Sequence, residues 1–460
     1  MENSNYNKMN LSLSRGSRNR NKNAKDVKVS SIFLGVLLIT GALAMYVCFL
    51  SMTISRDLPA TDDSLDFIPG DNHILSDLST IGAAHPPSPS VLYRPLIARQ
   101  NSHHIYLDIG SPSPRRKLLI VDTGSYMTAF PCQGCRNCGK KHTDSIYFHH
   151  EESSTGSLVE CDSCNDGSYC VPNVNRKKVC WISMKYMEGS SWTGYEVSDV
   201  VSFGWEDYHD NYFPQYSSST NEESSAKHVF GCINSETGTF RSQAADGIMG
   251  LADKAQSISI VHSFYTSGKI PENTFSLCLS KTGGIFSLGG SANAAHLDRQ
   301  MSYSPLDPNE TLYKVKIKQV MIGSIQVEGN LGEYTRKHNA IIDSGSTDTF
   351  LPLSIAIPFK KTWKEVTGLD FTNEPAIFDP EEFLKLPTIV VVLEGGYHWK
   401  LYPQNYFEFN GSNSWTNRIY LDEPSGAVLG ANAMFGHDIK FDIINKRLGI
   451  VEADCNKNLW

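Results

Sequence analysis

The sequence predicts a mainly β protein built as two pseudo-symmetric lobes, and three observations lead to that reading. First, two short apolar runs each end in a carboxylate, a small hydroxyl residue and glycine. They are Leu118-Leu119-Ile120-Val121-Asp122-Thr123-Gly124-Ser125 and Ala340-Ile341-Ile342-Asp343-Ser344-Gly345-Ser346. A β-branched run that stops so abruptly describes a buried strand closing on a tight turn. Second, each run is followed later in its own half by an apolar-apolar-glycine segment, Gly247-Ile248-Met249-Gly250 and Ala427-Val428-Leu429-Gly430. Third, glycine (35 residues) and aromatics (10%) are plentiful, as turns and strands require. With 460 residues the chain has room for two lobes with their own cores, plus appendages.

The two turns also predict chemistry. A single Asp-Ser/Thr-Gly is an ordinary turn, but two copies after strand-like runs, both leading into Ser, suggest one device used twice. Each lobe then offers one Asp, Asp122 and Asp343, to a shared cleft. Two carboxylates held face to face cannot both ionise, so they share a proton. Such a pair activates a water with one oxygen and protonates a substrate with another. The apolar-apolar-glycine segments are expected to pass beneath the opposite turn.

In these residues the chain resembles the pepsin-like aspartic peptidases, over roughly residues 100 to 455. Ile105-Tyr106-Leu107-Asp108-Ile109-Gly110-Ser111-Pro112 is similar to that family's opening strand, and Phe441–Ile450 to its closing hairpin. The resemblance implies a bilobal fold and an endopeptidase in which Asp122 and Asp343 hold the nucleophilic water. It implies that Thr123 and Ser344 link the lobes beneath the dyad, with Gly124 and Gly345 in the turns. It further implies that Ser125 and Ser346 donate to the outer carboxylate oxygens. It calls for no metal and no organic cofactor.

The charge is unevenly spread. Residues 1–54 hold seven basic side chains against two acidic ones, a net +5, leaving −13 for the remainder of a chain whose net charge is −8. That balance argues against nucleic acid as a partner. The basic block stops at Ser31–Ile54, an uncharged apolar run long enough to cross a bilayer. Its basic flank predicts a type II single-pass protein, with residues 1–30 a cytosolic tail and everything after the span lumenal or extracellular. A cleaved signal peptide is the rival reading, but its apolar core is normally about 7–15 residues. Residues 55–90 lack periodicity and read as a stem, or as a pro-segment whose basic side chain, Arg94 or Arg99, blocks the dyad. The catalytic lobes are then expected at 91–307 and 308–460.

Of eleven cysteines, Cys48 falls inside the apolar run and ten lie beyond it, an even number that suggests five disulfides in an oxidising compartment. Seven crowd into one insert, 132–180. The pairs Cys135-x2-Cys138 and Cys161-x2-Cys164 also have zinc-ligand spacing, which is the rival reading. An insert of this kind directly after the first Asp turn is similar to those of the nepenthesin-type and plasmepsin V-type members of the family. The nepenthesin pattern implies Cys132–Cys135, Cys138–Cys232, Cys161–Cys180, Cys164–Cys170 and Cys278–Cys455.

A flap is expected from Ile182 to Val201, a strand turning at Tyr186-Met187-Glu188-Gly189-Ser190 and returning. It is similar to the plasmepsin V-type flap, which makes Tyr186 the residue that closes over substrate, with Gly189 at the turn. Relatives often place a Trp seven residues after the first Asp to hold that tyrosine. Here the position is Ala129, so its hydroxyl needs another partner, such as water. Asp348 is a second departure; buried near the dyad, it would raise the pair's pKa by repulsion. The sequons at Asn309 and Asn410 predict glycosylation on the lumenal side.

Three function classes follow. The leading one is a membrane-anchored, monomeric aspartic endopeptidase of the endomembrane system or cell surface, acting on polypeptides. The second is a catalytically inactive pepsin-fold binding or inhibitor protein. The third is an adhesion or structural ectodomain in which the Cys-rich insert is the functional part.

Overall fold

The run that ends at Asp122 is apolar because little of it meets water. Leu118, Leu119 and Val121 on the strand Arg115–Asp122 are fully buried, and a strand covered on both faces reads as a continuous apolar stretch. The computed structural model describes residues 89–459, apart from 145–146, 173–177, 204–223, 255–257, 298–299, 330–338 and 425. The basic tail, the 31–54 run with Cys48, and nearly all of the 55–90 stem therefore lie outside the described residues. Among the described residues, no helix is long and apolar enough to cross a membrane.

The described strands form one fifteen-stranded sheet and three smaller sheets of five, four and three strands. The expected opening strand is Ser102–Ile109, paired antiparallel with both Leu92–Arg99 and Arg115–Asp122. The expected closing hairpin is His437–Asp442 with Arg447–Glu452, and it joins the large sheet by pairing with Thr274–Ser280. Phe275 stacks on Phe441 with ring centroids 4.5 Å apart, and the Tyr313 hydroxyl donates to the Leu251 carbonyl at 2.7 Å. The two halves of the sequence are thus joined by a shared ladder and a shared core.

Each Asp turn is built the same way. Gly247–Gly250 runs parallel to Arg115–Asp122, with Gly250 opposite Asp122, and its other edge meets Ala129. In the second half, Ala427–Leu429 runs parallel to Ala340–Ile342, with Leu429 opposite Ile342, and its other edge meets Phe350. This corrects the expectation that each segment passes beneath the opposite turn: each threads between the two arms of the turn in its own half. The reason is local, because the strand entering each turn offers an open parallel edge. The Leu251 amide donates to the Asp122 carbonyl at 2.8 Å, and the Asp343 amide to the Leu429 carbonyl at 3.1 Å. A side chain on Gly250 would collide with the Met127 backbone, and one on Gly430 with the Asp348 carbonyl.

All ten described cysteines are in disulfides, but four of the five expected pairings are wrong. The bonds are Cys132–Cys232, Cys135–Cys138, Cys161–Cys170, Cys164–Cys180 and, as expected, Cys278–Cys455. Strand register decides the difference. Ala129–Pro131 lies parallel to Gly231–Ile233, and the Cys132 amide donates to the Ile233 carbonyl, which brings Cys132 and Cys232 to a Cα separation of 5.3 Å. Cys170 and Cys180 face each other across a hairpin. The short helical turn Cys161–Ser163 lies against that hairpin, and Cys161 within it and Cys164 just after it each take one of the facing pair, Cys161 with Cys170 and Cys164 with Cys180. With their sulfurs bonded to one another, these cysteines are not available as zinc ligands.

Candidate active site

The two turns meet back to back through their hydroxyl residues. The Thr123 amide donates to Ser344 Oγ at 3.1 Å, and the Ser344 amide to Thr123 Oγ1 at 2.9 Å. Each hydroxyl then donates across the junction, Thr123 to the Ile342 carbonyl at 2.8 Å and Ser344 to the Val121 carbonyl at 2.7 Å. Thr123 and Ser344 are buried, and this four-bond lattice fixes one turn against the other.

Above it the carboxylates are held alike. Asp122 Oδ1 accepts from the Gly124 amide at 2.8 Å and Oδ2 from Ser125 Oγ at 2.5 Å. Asp343 Oδ1 accepts from the Gly345 amide at 2.9 Å and Oδ2 from Ser346 Oγ at 2.7 Å. The glycines let the turns approach: a Cβ on Gly124 would lie 2.6 Å from Asp343 Oδ1, and one on Gly345 would run into Asp122 Oδ1. Burial, then the charge of Asp343, push Asp122 from its ordinary value up to about 8, against the opposing pull of the Ser125 and Gly124 donors. Two carboxyls this close share a proton between them, so the pair can present one acid and one base together.

The flap is the hairpin of Lys178–Lys185 and Ser191–Ser202, with Lys185 opposite Ser191. Its turn is closed by the Tyr186 amide bonding the Ser190 carbonyl at 2.9 Å, with Gly189 at a left-handed φ of 94°. The Tyr186 ring packs 5.0 Å from Phe240. Its hydroxyl accepts from Trp192 Nε1 at 3.1 Å and lies close to Ser125, which itself donates to Asp122. Burial and the Asp122 charge push the phenol well above its ordinary pKa, so it stays protonated. Thus the partner left open by Ala129 is an indole rather than water. Sequence reasoning passed over Trp192, although an aromatic two residues into the return strand was the signal available.

Asp348 also differs from expectation. It is half-buried, and burial pushes its pKa up while Arg418 pulls it back. Arg418 grips it through Nε and Nη2, at 2.9 and 2.8 Å, so its charge is answered locally. Arg94 is fastened to the Phe203 and Tyr93 carbonyls. Arg99 lines a cavity beside Thr347. Asn309 and Asn410 are both exposed.

The profile described as xylanase inhibitor N-terminal matches residues 103–290. Over 377 residues the chain is 26% identical to Aspartic protease 5 of Toxoplasma gondii, covering 76% of this chain and 36% of that protein. Over 208 residues it is 30% identical to plasmepsin V of Plasmodium falciparum, covering 44% of this chain and 32% of that one. A protein of Arabidopsis thaliana named "probable aspartic protease" is 25% identical over 408 residues, 82% of this chain and 85% of that protein. The chain spans about a third of the length of the first two relatives. Sequence similarity and the doubled carboxylate turn agree: the chain is similar to the pepsin-like aspartic proteases.

Proposed function

We propose that the protein is an aspartic endopeptidase that hydrolyses polypeptides with a water activated by Asp122 and Asp343. The observation that supports it best is the matched pair of carboxylates, each with its amide and hydroxyl donors, locked together by Thr123 and Ser344. In this reading the ionised carboxyl takes a proton from water while the other protonates the departing amide, and the acyl group is never bonded to the protein. Tyr186 closes the flap over bound peptide and excludes bulk water. The reaction as proposed uses no metal and no organic cofactor.

The 31–54 run anchors the enzyme as a type II protein, with the 91–307 and 308–460 lobes on the lumenal or extracellular side and Asn309 and Asn410 glycosylated there. Its substrates are then secretory or surface proteins, and it acts as a monomer. A second reading, an inactive pepsin-fold inhibitor, is favoured by the description of the matching profile. Digestion of a denatured protein at acidic pH separates the two. Wild-type chain is expected to cleave it and to be stopped by a transition-state mimic such as pepstatin. Asp122→Asn and Asp343→Asn should each lose at least about 10³-fold in kcat, with the double variant little worse than either, because the pair acts as a unit. Full activity in either single variant would remove the assignment; an inert wild type would favour the inhibitor.

A further inference from the structure

Beside the second Asp turn lies a cavity of about 320 Å³ whose lining comes from both halves of the chain. The tight turn Gln100–Asn101, with both residues left-handed at φ 50° and 60°, reaches from the first half to the second. Thr347 Oγ1 donates to the Asn101 carbonyl at 2.8 Å, and Asn101 Nδ2 donates to Glu408 Oε1 at 3.2 Å. Thr347 follows Asp343 by only a few residues. An extended peptide advances about 3.4 Å per residue, so a side chain a few positions from the scissile bond is the part of a substrate that would reach a cavity beside this turn.

The charges lining it are unequal. Its two carboxylates, Asp348 and Glu408, are both answered by Arg418, the first by two bonds and the second at 3.4 Å. Arg99 and Lys281 are the other two cations, and with Glu408 also lying in the field of Lys281 the lining carries one positive charge in excess. Arg99 is exposed and has no acidic partner among the described residues. Lys281 gives one bond to the Phe407 carbonyl at 3.2 Å, and an ammonium has three donors. We infer that this cavity is a substrate subsite that selects an anionic side chain, Asp or Glu, and that Arg99 and Lys281 read its charge. A lysine or arginine side chain entering here would face cations whose counter-charges are already engaged, so the subsite discriminates by repulsion as well as attraction. Phe409, half-exposed beside Trp415, offers apolar surface for the stem of the entering side chain.

The inference rests on the peptidase reading, and its test separates the two. The full chain is assayed at about pH 5.5, where substrate carboxylates are ionised, against a peptide library exchanging Asp, Gln and Lys at each of about four positions either side of the cleaved bond. At one position, kcat/KM for Asp over Lys is expected to reach about tenfold, and to shrink at high salt. Arg99→Glu with Lys281→Glu should invert that ratio, and the milder Arg99→Gln should lower it about threefold. Cleavage with no charge preference at any position, or a preference untouched by these variants, overturns the subsite and leaves the peptidase standing. Failure of the wild type to cleave any peptide or to bind a transition-state mimic overturns the peptidase reading, and the subsite falls with it.

Discussion

Around Asp122 the chain builds a roof that it does not repeat around Asp343. The flap brings Tyr186 and Trp192 over the first turn, and Asp122 is only 5% exposed. Asp343 is less covered, and Gly345 beside it is exposed; close behind that turn stands the Asp348–Arg418 ion pair. Yet the donors are matched, one glycine amide and one serine hydroxyl for each carboxylate. Equal hydrogen bonding with unequal cover means that desolvation, rather than hydrogen bonding, breaks the symmetry of a doubled site.

The comparison breaks most sharply at the glycines. Gly345→Ala places a methyl group against Asp122, and Gly124→Ala places one against Asp343, the first contact being the tighter. Both should cost about 10²-fold or more in kcat, Gly345→Ala more than Gly124→Ala, because a misplacement of about 1 Å is felt in full at the reacting atoms. Steady-state kinetics on one peptide read the order, and equal losses would show that the turns yield alike.

A second test uses stability. Asp122 binds its proton more tightly in the folded chain than in the unfolded one, so between about pH 4 and about 8 the folded state carries the excess proton and stability falls as pH rises. Asp122→Asn removes that penalty. At about pH 7.5 its melting temperature should exceed wild type by about 5 °C, and near pH 4 the two should converge. A constant difference across the range would put the effect elsewhere than in the proton.

Trp192→Phe keeps an aromatic at the same place and deletes the donor to Tyr186. A fall of about tenfold in kcat is expected, from a flap tyrosine no longer aimed at Ser125; unchanged kinetics would mean that packing on Phe240 alone positions it. Asp348→Asn should have the smallest effect, a few tenths of a pH unit. It leaves Arg418 with less opposing charge and should move the upper limb of the pH–rate profile to lower pH. A shift in the other direction would show that Arg418 turns away once its partner is gone.

The parts of the site that chemistry demands were legible in the sequence, because they are local. Asp122-Thr123-Gly124-Ser125 and its second copy announce a strand, a turn and a donor within a few residues. So does the flap turn at Gly189. What escaped was set by register between segments far apart. That Cys132 meets Cys232 follows from a parallel pairing of strands about a hundred residues apart. That Asp348 meets Arg418 follows from Thr349–Pro352 lying beside Ile419–Glu423. Trp192 escaped for a different reason: its place was visible, but an aromatic in a strand ordinarily signals packing, and only geometry shows its N–H pointing at a phenol.

The disulfide pattern sets a timetable for making this protein. Cys135–Cys138 and Cys161–Cys170 join residues 3 and 9 apart and can close as soon as they reach an oxidising compartment. Cys132 has to stay open, or be reopened, while 100 residues containing six other cysteines are delivered. Cys278 waits for a partner 177 residues later, at a synthesis rate of roughly 5–20 residues per second a delay of about 10 to 35 s. Since Cys278–Cys455 staples Thr274–Ser280 near the closing hairpin, the ladder joining the two halves is covalently sealed only after Cys455 has arrived. A chain truncated before Cys455 would carry both dyad carboxylates and an unpaired thiol where that seal belongs.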